Sequence, residues 1–394
     1  MSREPVVIVG AGQGGLQAAI SLRQAGFDGP VSLIGTEPGL PYQRPPLSKA
    51  YLKDGDPEAL ALRPQSFFET KDVSYLPETT VLRIDRAAGR VEVSGPAGET
   101  ALPYGQLILA TGTRNVRPRI EGLEHACDLR TLTDARTLRD RLGAPRRIAV
   151  IGGGFIGLEF AAVALKQGHE VAVIEAAPRL MARAVSPIMS DAFAALHRGW
   201  GAELYFGQPA IAVDAGGVTL ASGERVAADF VLLAAGVQPN AELAAEAGLE
   251  TGNGITVDDR LRTSDPAISA LGDCACFPDP RTGRPIRLES VQAATDHARS
   301  IAARIASGDD RAAYGAVPWF WSDQGDRKLQ IAGYAAGPET TDTAISDTVV
   351  ARFDTHGLAA VETVNSARVH MKIRRCLAAG EEVDLPQLEE LAEG

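Results

Sequence analysis

Two glycine-rich loops, each directly behind a short apolar run, constrain this chain more than anything else in it. The first is Gly10-Ala11-Gly12-Gln13-Gly14-Gly15, behind Val6–Val9, and the second is Gly152-Gly153-Gly154-Phe155-Ile156-Gly157, behind residues 148–151. This spacing suits a strand that turns sharply into a helix. The first glycine makes the turn, the second lets backbone approach a pyrophosphate, and the third brings helix and strand together, so that the helix N-terminus faces the anion. One match alone is weak. Two in one chain point to two bound dinucleotides, and a flavin facing a nicotinamide is the usual chemical reason.

Each loop has an acidic residue where a ribose diol needs one. The strand at 31–34 runs into Gly35-Thr36-Glu37, and the strand at 171–174 runs into Glu175. A carboxylate there accepts from the two ribose hydroxyls and repels a 2′-phosphate. Glu175 therefore reads as selecting NADH over NADPH, with Arg179 and Arg183 the candidates for holding the extra phosphate should NADPH be preferred. The other reading is that both glutamates only cap exposed strand ends.

A chain of 394 residues has room for two or three domains with substantial cores. Its net charge of −11 disfavours nucleic acid as a partner, and no apolar run reaches the length of a membrane span. Met1-Ser2-Arg3-Glu4-Pro5 leads straight into the first strand, leaving no room for a signal peptide. Cys127, Cys274, Cys276 and Cys376 form neither a disulfide framework nor a zinc spacing, so a cytoplasmic setting is expected.

Strand and helix patterns alternate as far as about residue 310, which argues for an α/β fold. The helices behind the glycine loops end near Gly26 and Gly168, as glycine-stopped helices do. Leu107-Ile108-Leu109-Ala110-Thr111-Gly112 has a near-copy in Val231-Leu232-Leu233-Ala234-Ala235-Gly236. Both come late in their own nucleotide-binding unit and read as crossings between domains. From about 320 the pattern changes to short strands at 328–334, 348–353 and 358–364, then a helix from about Val369; residues after Asp384 read as a polar tail.

Four further segments carry a resemblance: Pro41-Tyr42-Gln43-Arg44-Pro45-Pro46-Leu47-Ser48-Lys49, Leu129-Arg130-Thr131, Leu271-Gly272-Asp273 and Pro318-Trp319-Phe320-Trp321-Ser322-Asp323-Gln324. With them, almost the whole chain resembles the FAD-dependent ferredoxin reductases that serve bacterial cytochrome P450 and Rieske oxygenase systems. The resemblance implies an α/β fold of the glutathione-reductase type: two Rossmann-like dinucleotide-binding domains, for FAD and NAD, plus a small α+β C-terminal domain. The FAD domain would be discontinuous, 1–112 and 241–318, with the NAD domain at 113–240 and the C-terminal domain at 319–394.

The resemblance also implies site residues. The FAD pyrophosphate would meet Gly10, Gly12, Gly14 and Gly15, and Glu37 would take the adenosine ribose. Arg44, Lys49, Val81 and Arg130 would be further FAD contacts. Asp273 would bind the ribityl chain, and Val291 would open a helix whose N-terminus faces the flavin. Asp273 also reads independently as a carboxylate accepting from sugar hydroxyls, or as a helix N-cap. Gly152, Gly154, Gly157 and Glu175 would hold NAD. Lys49 and Glu159 would form an ion pair beside the flavin that orients the nicotinamide. Taken alone they read as a surface lysine and a glutamate favoured by a helix dipole. Trp321 alternates with Phe320 and so shares a strand face with Trp319. By resemblance it covers the flavin edge or lies on the electron route outward; simple packing is the other reading. The catalytic candidates are thus Lys49, Glu159 and Trp321, and no metal site is expected.

Cysteine usage narrows the chemistry. Disulfide reductases of this fold need a redox cysteine pair beside the flavin, and the related peroxidases and oxidases need a lone reactive cysteine after the second strand. Residues 38–52 contain none, and Cys274-Ala275-Cys276 is too tight for an ordinary loop disulfide. Electrons are therefore expected to leave the flavin directly for an external acceptor. The resemblance makes that acceptor a [2Fe–2S] ferredoxin with a downstream P450 or Rieske-type oxygenase. An NADH:rubredoxin reductase is one alternative, and an NADH-sensing flavoprotein like apoptosis-inducing factor is another. The basic run Arg368 to Arg375, with Arg374 and Arg375 at its end, and Arg311 are candidate docking positions, although a solvated helix face is the default for such a run. Neither nucleic acid nor membrane is expected as a partner, and both a monomer and a homodimer are compatible with the chain.

Overall fold

The computed structural model describes residues 4–335 and 340–393; residues 1–3, read above as the approach to the first strand, lie outside them. The chain divides into two compact units. One comprises Met1–Gln43, Glu58–Arg114 and Gln238–Ala316, and the other Arg44–Pro57, Asn115–Val237 and Val317–Gly394.

The first unit is built on a five-stranded parallel sheet. Its order is Ile268–Ala270, Gln106–Leu109, Val6–Val9, Val31–Ile34 and Val73–Leu76. Val6–Val9 pairs in register with Val31–Ile34 on one side and Gln106–Leu109 on the other. A strand covered on both faces needs apolar residues throughout rather than alternation, and all four residues of Val6–Val9 are buried. The strand order reverses at Val6–Val9, which opens a crevice beyond its carboxyl end. There the helix Gln13–Gln24 begins, with Gly12 as its N-cap and no side chain capping it. This helix packs against the helix Val291–Ser307. A three-stranded antiparallel sheet, Thr80–Asp85, Arg90–Gly95 and Gly98–Pro103, completes the part that matters for the site.

The second unit repeats the plan. Its parallel sheet has the order Glu203–Phe206, Glu170–Glu175, Arg147–Ile151, Phe230–Leu233 and Ala126–Cys127, and the helix Phe155–Lys166 follows the middle strand. The same unit contains a five-stranded antiparallel sheet, ordered Trp319–Gln324, Arg327–Gly333, Gly357–Val364, Val349–Asp354 and Thr341–Ser346. Its core gathers Ala332, Val349, Ala351 and Val361 with Val369 and Ile373 of the helix Ala367–Ala379.

One expectation is corrected here. The residues after Asp384 are not a polar tail but the helix Leu385–Glu393, with Leu388 buried in that core and Leu391 packed against it. Leu385, Leu388 and Leu391 recur every three residues and share a helix face. The intervening Glu389 and Glu390 lower the average hydropathy without interrupting that face.

The near-copies, each a strand of its parallel sheet with the turn behind it, come just before the points where the chain leaves each unit. In the first unit the Thr111 hydroxyl donates to the Asn240 carbonyl at 2.6 Å, and the Asn240 amide returns a bond to the Thr111 carbonyl at 2.8 Å. In the second, Val116 N donates to the Gly236 carbonyl at 2.9 Å. Among the described residues, no helix is long and apolar enough to cross a membrane.

Candidate functional site

The glycines of the two loops divide by what surrounds them. Gly10 and Gly152 have φ of 108° and 115°, and a Cβ on either would stand 2.2 Å from a carbonyl oxygen, of Ala110 and Ala234 respectively. They are glycines because the turn demands it. Gly15 and Gly157 pack helix on strand: a Cβ would stand 1.8 Å from the Gly10 carbonyl oxygen and 2.3 Å from that of Gly152. At Gly14 it would meet Leu271 Cδ1 at 2.4 Å. Gly12 and Gly154 are different. Their φ values of −75° and −84° suit any residue. Among the described residues, and apart from the immediate chain neighbours, no atom comes within 4 Å of where their Cβ would stand. Each is the N-cap of a helix whose first N–H groups receive no capping side chain. The open space at each helix N-terminus fits an anion that must come close to backbone, as a dinucleotide pyrophosphate does.

In the first unit, Glu37 follows the strand Val31–Ile34, and the Tyr42 hydroxyl donates to its Oε2 at 2.5 Å. Tyr75 stands nearby; burial, and then the Glu37 charge, push its hydroxyl up to about 12, so it stays a donor. Asp273 lies in the first turn of the short helix Gly272–Cys274, where Leu271 is the cap, and accepts from the Thr113 hydroxyl at 3.2 Å. Gly272 N donates to His297 Nδ1 at 3.2 Å, which ties that turn to the helix Val291–Ser307. Val291 is the first residue of this helix, and the Ser290 hydroxyl caps it by accepting from Ala293 N at 3.0 Å. Val81, half-buried, lies on the strand Thr80–Asp85. Cys274 is fully buried and its Sγ donates to the Leu271 carbonyl at 3.2 Å; burial pushes the thiol up, away from the thiolate a relay would need.

In the second unit, Glu175 ends its strand with both carboxylate oxygens held: Gly153 N donates to one and Ala177 N to the other, each at 2.7 Å. A carboxylate has about four lone-pair positions, so a fixed Glu175 still has capacity for a ribose diol. The Arg179 guanidinium donates to the carbonyls of Ala182 and Val185 at 2.8 and 2.9 Å, so its fork faces its own loop. Arg44 and Arg130 come together: the Arg44 guanidinium donates to the Arg130 carbonyl at 2.7 Å, just before the capping box of Thr131 and Asp134.

A polar cluster of this unit surrounds Glu159, which is only 6% exposed. Lys49 Nζ lies 3.0 Å from Glu159 Oε1 and 3.2 Å from Asp323 Oδ2. The Ser48 hydroxyl donates to Glu159 Oε2 at 2.6 Å, and the Ser322 hydroxyl donates to Oε1 at 2.7 Å. Burial holds the Glu159 carboxyl above the usual carboxylate range, and the Lys49 charge and the hydrogen bonds from Ser48, Ser322 and Lys49 offset only part of that rise. Lys49 leaves a turn, Pro45–Ser48, whose paired prolines restrict its path. Trp321 is half-buried and stacks on Trp319, with ring centroids 5.6 Å apart, and the Arg374 guanidinium sits 4.3 Å over the Trp319 ring. The other face of that strand carries Phe320, packed edge-on against Phe155 at 4.9 Å.

Sequence reasoning missed Ser48, Ser322 and Asp323 as partners of this cluster. Ser48 is the neighbour of a candidate, and Ser322 follows Trp321 in a strand of legible alternation. Reading that alternation one residue further would have placed Ser322 on the face of Phe320, opposite the tryptophans.

Known proteins of similar sequence and structure bear on this arrangement. The chain matches the family described as Pyridine nucleotide-disulphide oxidoreductase over residues 4–298, and that described as Reductase C-terminal over residues 319–393. It is 46% identical to rhodocoxin reductase of Rhodococcus erythropolis, over 95% of this chain and 89% of that one. It is 40% identical to a rubredoxin-NAD(+) reductase of Pseudomonas putida, over 91% of this chain and 95% of the other. Among solved structures, the ferredoxin reductase for the CYP199A2 system from Rhodopseudomonas palustris superposes with a TM-score of 0.93 at 43% identity, covering 100% of this chain and 98% of that one.

Proposed function

The chain belongs to the pyridine nucleotide-disulphide oxidoreductase family, and from that premise we propose that this oxidoreductase moves electrons from NADH, through FAD, to a [2Fe–2S] ferredoxin that supplies a cytochrome P450 or Rieske-type oxygenase. The observation that carries the reading is the pair of open cradles at Gly12 and Gly154. Two such sites in one chain suit two dinucleotides. Bound FAD supplies the change from two-electron to one-electron transfer that a nicotinamide and an iron–sulfur acceptor require.

On this reading, residues 1–112 and 241–318 form the FAD domain, 113–240 the NAD domain and 319–394 the C-terminal domain. Gly10, Gly12, Gly14, Gly15 and Glu37 hold the pyrophosphate and adenosine ribose of FAD. Asp273 accepts from the ribityl hydroxyls, and Val81, Val291, Arg44 and Arg130 are further contacts. Gly152, Gly154 and Gly157 receive NADH, with Glu175 on its ribose. Lys49 holds Glu159 in place, and Glu159 accepts from the nicotinamide carboxamide, orienting the ring. Trp321 shields the reacting rings from water. We place the enzyme in the cytoplasm, as a monomer or homodimer.

A second reading, electron delivery to rubredoxin, is favoured by the 40% identity to a rubredoxin reductase. Steady-state turnover of the FAD-loaded protein with NADH and a panel of acceptors separates the two. We expect fast turnover with a [2Fe–2S] ferredoxin and slow turnover with rubredoxin. The reverse order establishes the second reading, and turnover with neither overturns both.

A further inference from the structure

His197, Gln324 and Ser322 form an unbroken hydrogen-bonded chain ending on Glu159. His197, on the helix Pro187–Gly199, places Nε2 2.9 Å from Gln324 Oε1. Gln324 Nε2 donates to Ser322 Oγ at 3.2 Å and to Met181 Sδ at 3.6 Å, and the Ser322 hydroxyl donates to Glu159 Oε1 at 2.7 Å. His197, Gln324 and Ser322 are all fully buried.

The chemistry of the groups sets the direction of every bond. An amide oxygen only accepts, so His197 carries its proton on Nε2. An amide nitrogen only donates, so the Ser322 oxygen accepts from Gln324 and its one proton goes to Glu159. His197 Nδ1 has no hydrogen-bond partner among the described residues, and burial holds the ring below its ordinary pKa, the Gln324 bond opposing this. The imidazole thus contributes a fixed donor without a charge.

We propose that Gln324 is a positioning residue for the nicotinamide-binding carboxylate: oriented by His197, it commits the Ser322 proton to Glu159 Oε1 and so keeps Glu159 ionised. This rests on the reading that Glu159 receives the nicotinamide carboxamide. An ionised carboxylate only accepts, and the carboxamide N–H donates; a protonated Glu159 would set its own O–H against that donor. Among the described residues, the charged groups at Glu159 are Lys49, from the segment behind the Pro45–Ser48 turn, and Asp323, whose carboxylate meets Lys49 and whose backbone N–H donates to Glu159 Oε1 at 3.3 Å. Lys49 and the Ser322 hydrogen bond both work against the upward push of burial. Without an oriented Ser322, burial gains, and Glu159 takes up a proton at higher pH.

The test is NAD+ binding to the FAD-loaded protein, followed by titration calorimetry from mildly alkaline to mildly acidic pH. Gln324→Met keeps the side-chain volume beside Met181 and removes the hydrogen bonds to His197, Ser322 and Met181. At alkaline pH its affinity should equal that of the wild type. On acidification the variant should lose affinity first, ending about tenfold weaker, the consequence of about one unit in the controlling pKa. A profile that superposes on the wild type at every pH overturns the proposal. Ser322→Ala removes the last link alone and should reproduce the shift, while Ser322→Thr should restore the wild-type profile. A Ser322→Ala profile like the wild type's overturns the proposal even if Gln324→Met does not fold. Glu159→Gln tests the underlying reading: if it binds NAD+ with unchanged affinity and pH profile, that reading has failed, whatever the other variants do.

Discussion

Gly12 and Gly154 are glycines that nothing in the protein's own packing requires. Their backbone conformations suit an L-residue and the space beside them is open. On the proposed function, the requirement comes from the dinucleotide that binds there. Gly12→Ala and Gly154→Ala should therefore fold with stabilities within about 1 kcal/mol of the wild type, a helix N-cap tolerating the exchange at that level. Gly12→Ala should purify with little flavin, seen as lost absorbance in the visible. Gly154→Ala should stay yellow and bind NAD+ more weakly. By contrast, Gly15→Ala and Gly157→Ala drive a Cβ into a carbonyl oxygen and should lower the melting temperature. A Gly12→Ala protein that retains full flavin would show that Gly12 is not where the FAD pyrophosphate binds. The turn role of Gly10 and Gly152 and the packing role of Gly15 and Gly157 were legible in the sequence because each follows from local turn geometry. The surroundings of Glu175 were not: its position at a strand end was readable, but its two backbone donors, Gly153 and Ala177, and the diversion of Arg179 to its own loop are products of folding.

At the scale of elements, the strand Trp319–Gln324 was readable as a strand with two faces, whereas the terminal helix was not. Leu385–Glu393 has a narrow apolar stripe, and its stability comes from docking Leu388 rather than from helix propensity. Leu388→Ala should cost about 2–5 kcal/mol, the usual range for a buried leucine that leaves a cavity. Urea denaturation checks this, and an unchanged midpoint would show that the helix adds nothing to the fold. The helix Pro187–Gly199, which brings His197 to Gln324, has a readable start in Ser186-Pro187. Its anchoring was not readable. Ser186 N and Oγ donate to the two carboxylate oxygens of buried Glu362, at 2.7 and 2.6 Å, and the Arg352 guanidinium lies 3.4 Å from the same carboxylate. Such a clamp joins residues far apart in sequence and leaves no periodic trace in either segment.

At the scale of the molecule, each unit contains a buried histidine whose lowered pKa makes stability depend on acid. Burial lowers His297 to about 3, and burial with the nearby Arg374 and Lys328 charges lowers His370 to about 4. The unfolded rings keep a pKa near 6.5. Below that value the unfolded chain binds protons that the folded chain refuses. Stability is therefore full above about pH 6.5 and falls as the pH drops towards the folded values, by up to about 1.4 kcal/mol per pH unit per histidine. His297→Gln keeps an acceptor for Gly272 N without a proton to take up in this range. It should flatten the pH dependence of the urea midpoint, and an unchanged slope would refute the assignment to His297.

Both nucleotide-binding units and the acidic ends of their second strands could be read directly from the amino-acid order, because turn glycines, apolar runs and strand alternation are rules between near neighbours. What only the folded chain decided is the proton inventory around Glu159. Ser322 stands 163 residues from Glu159 along the chain, and Gln324 stands 127 from His197. A hydrogen bond between groups that distant obeys no local period, so its existence and its direction are consequences of packing alone.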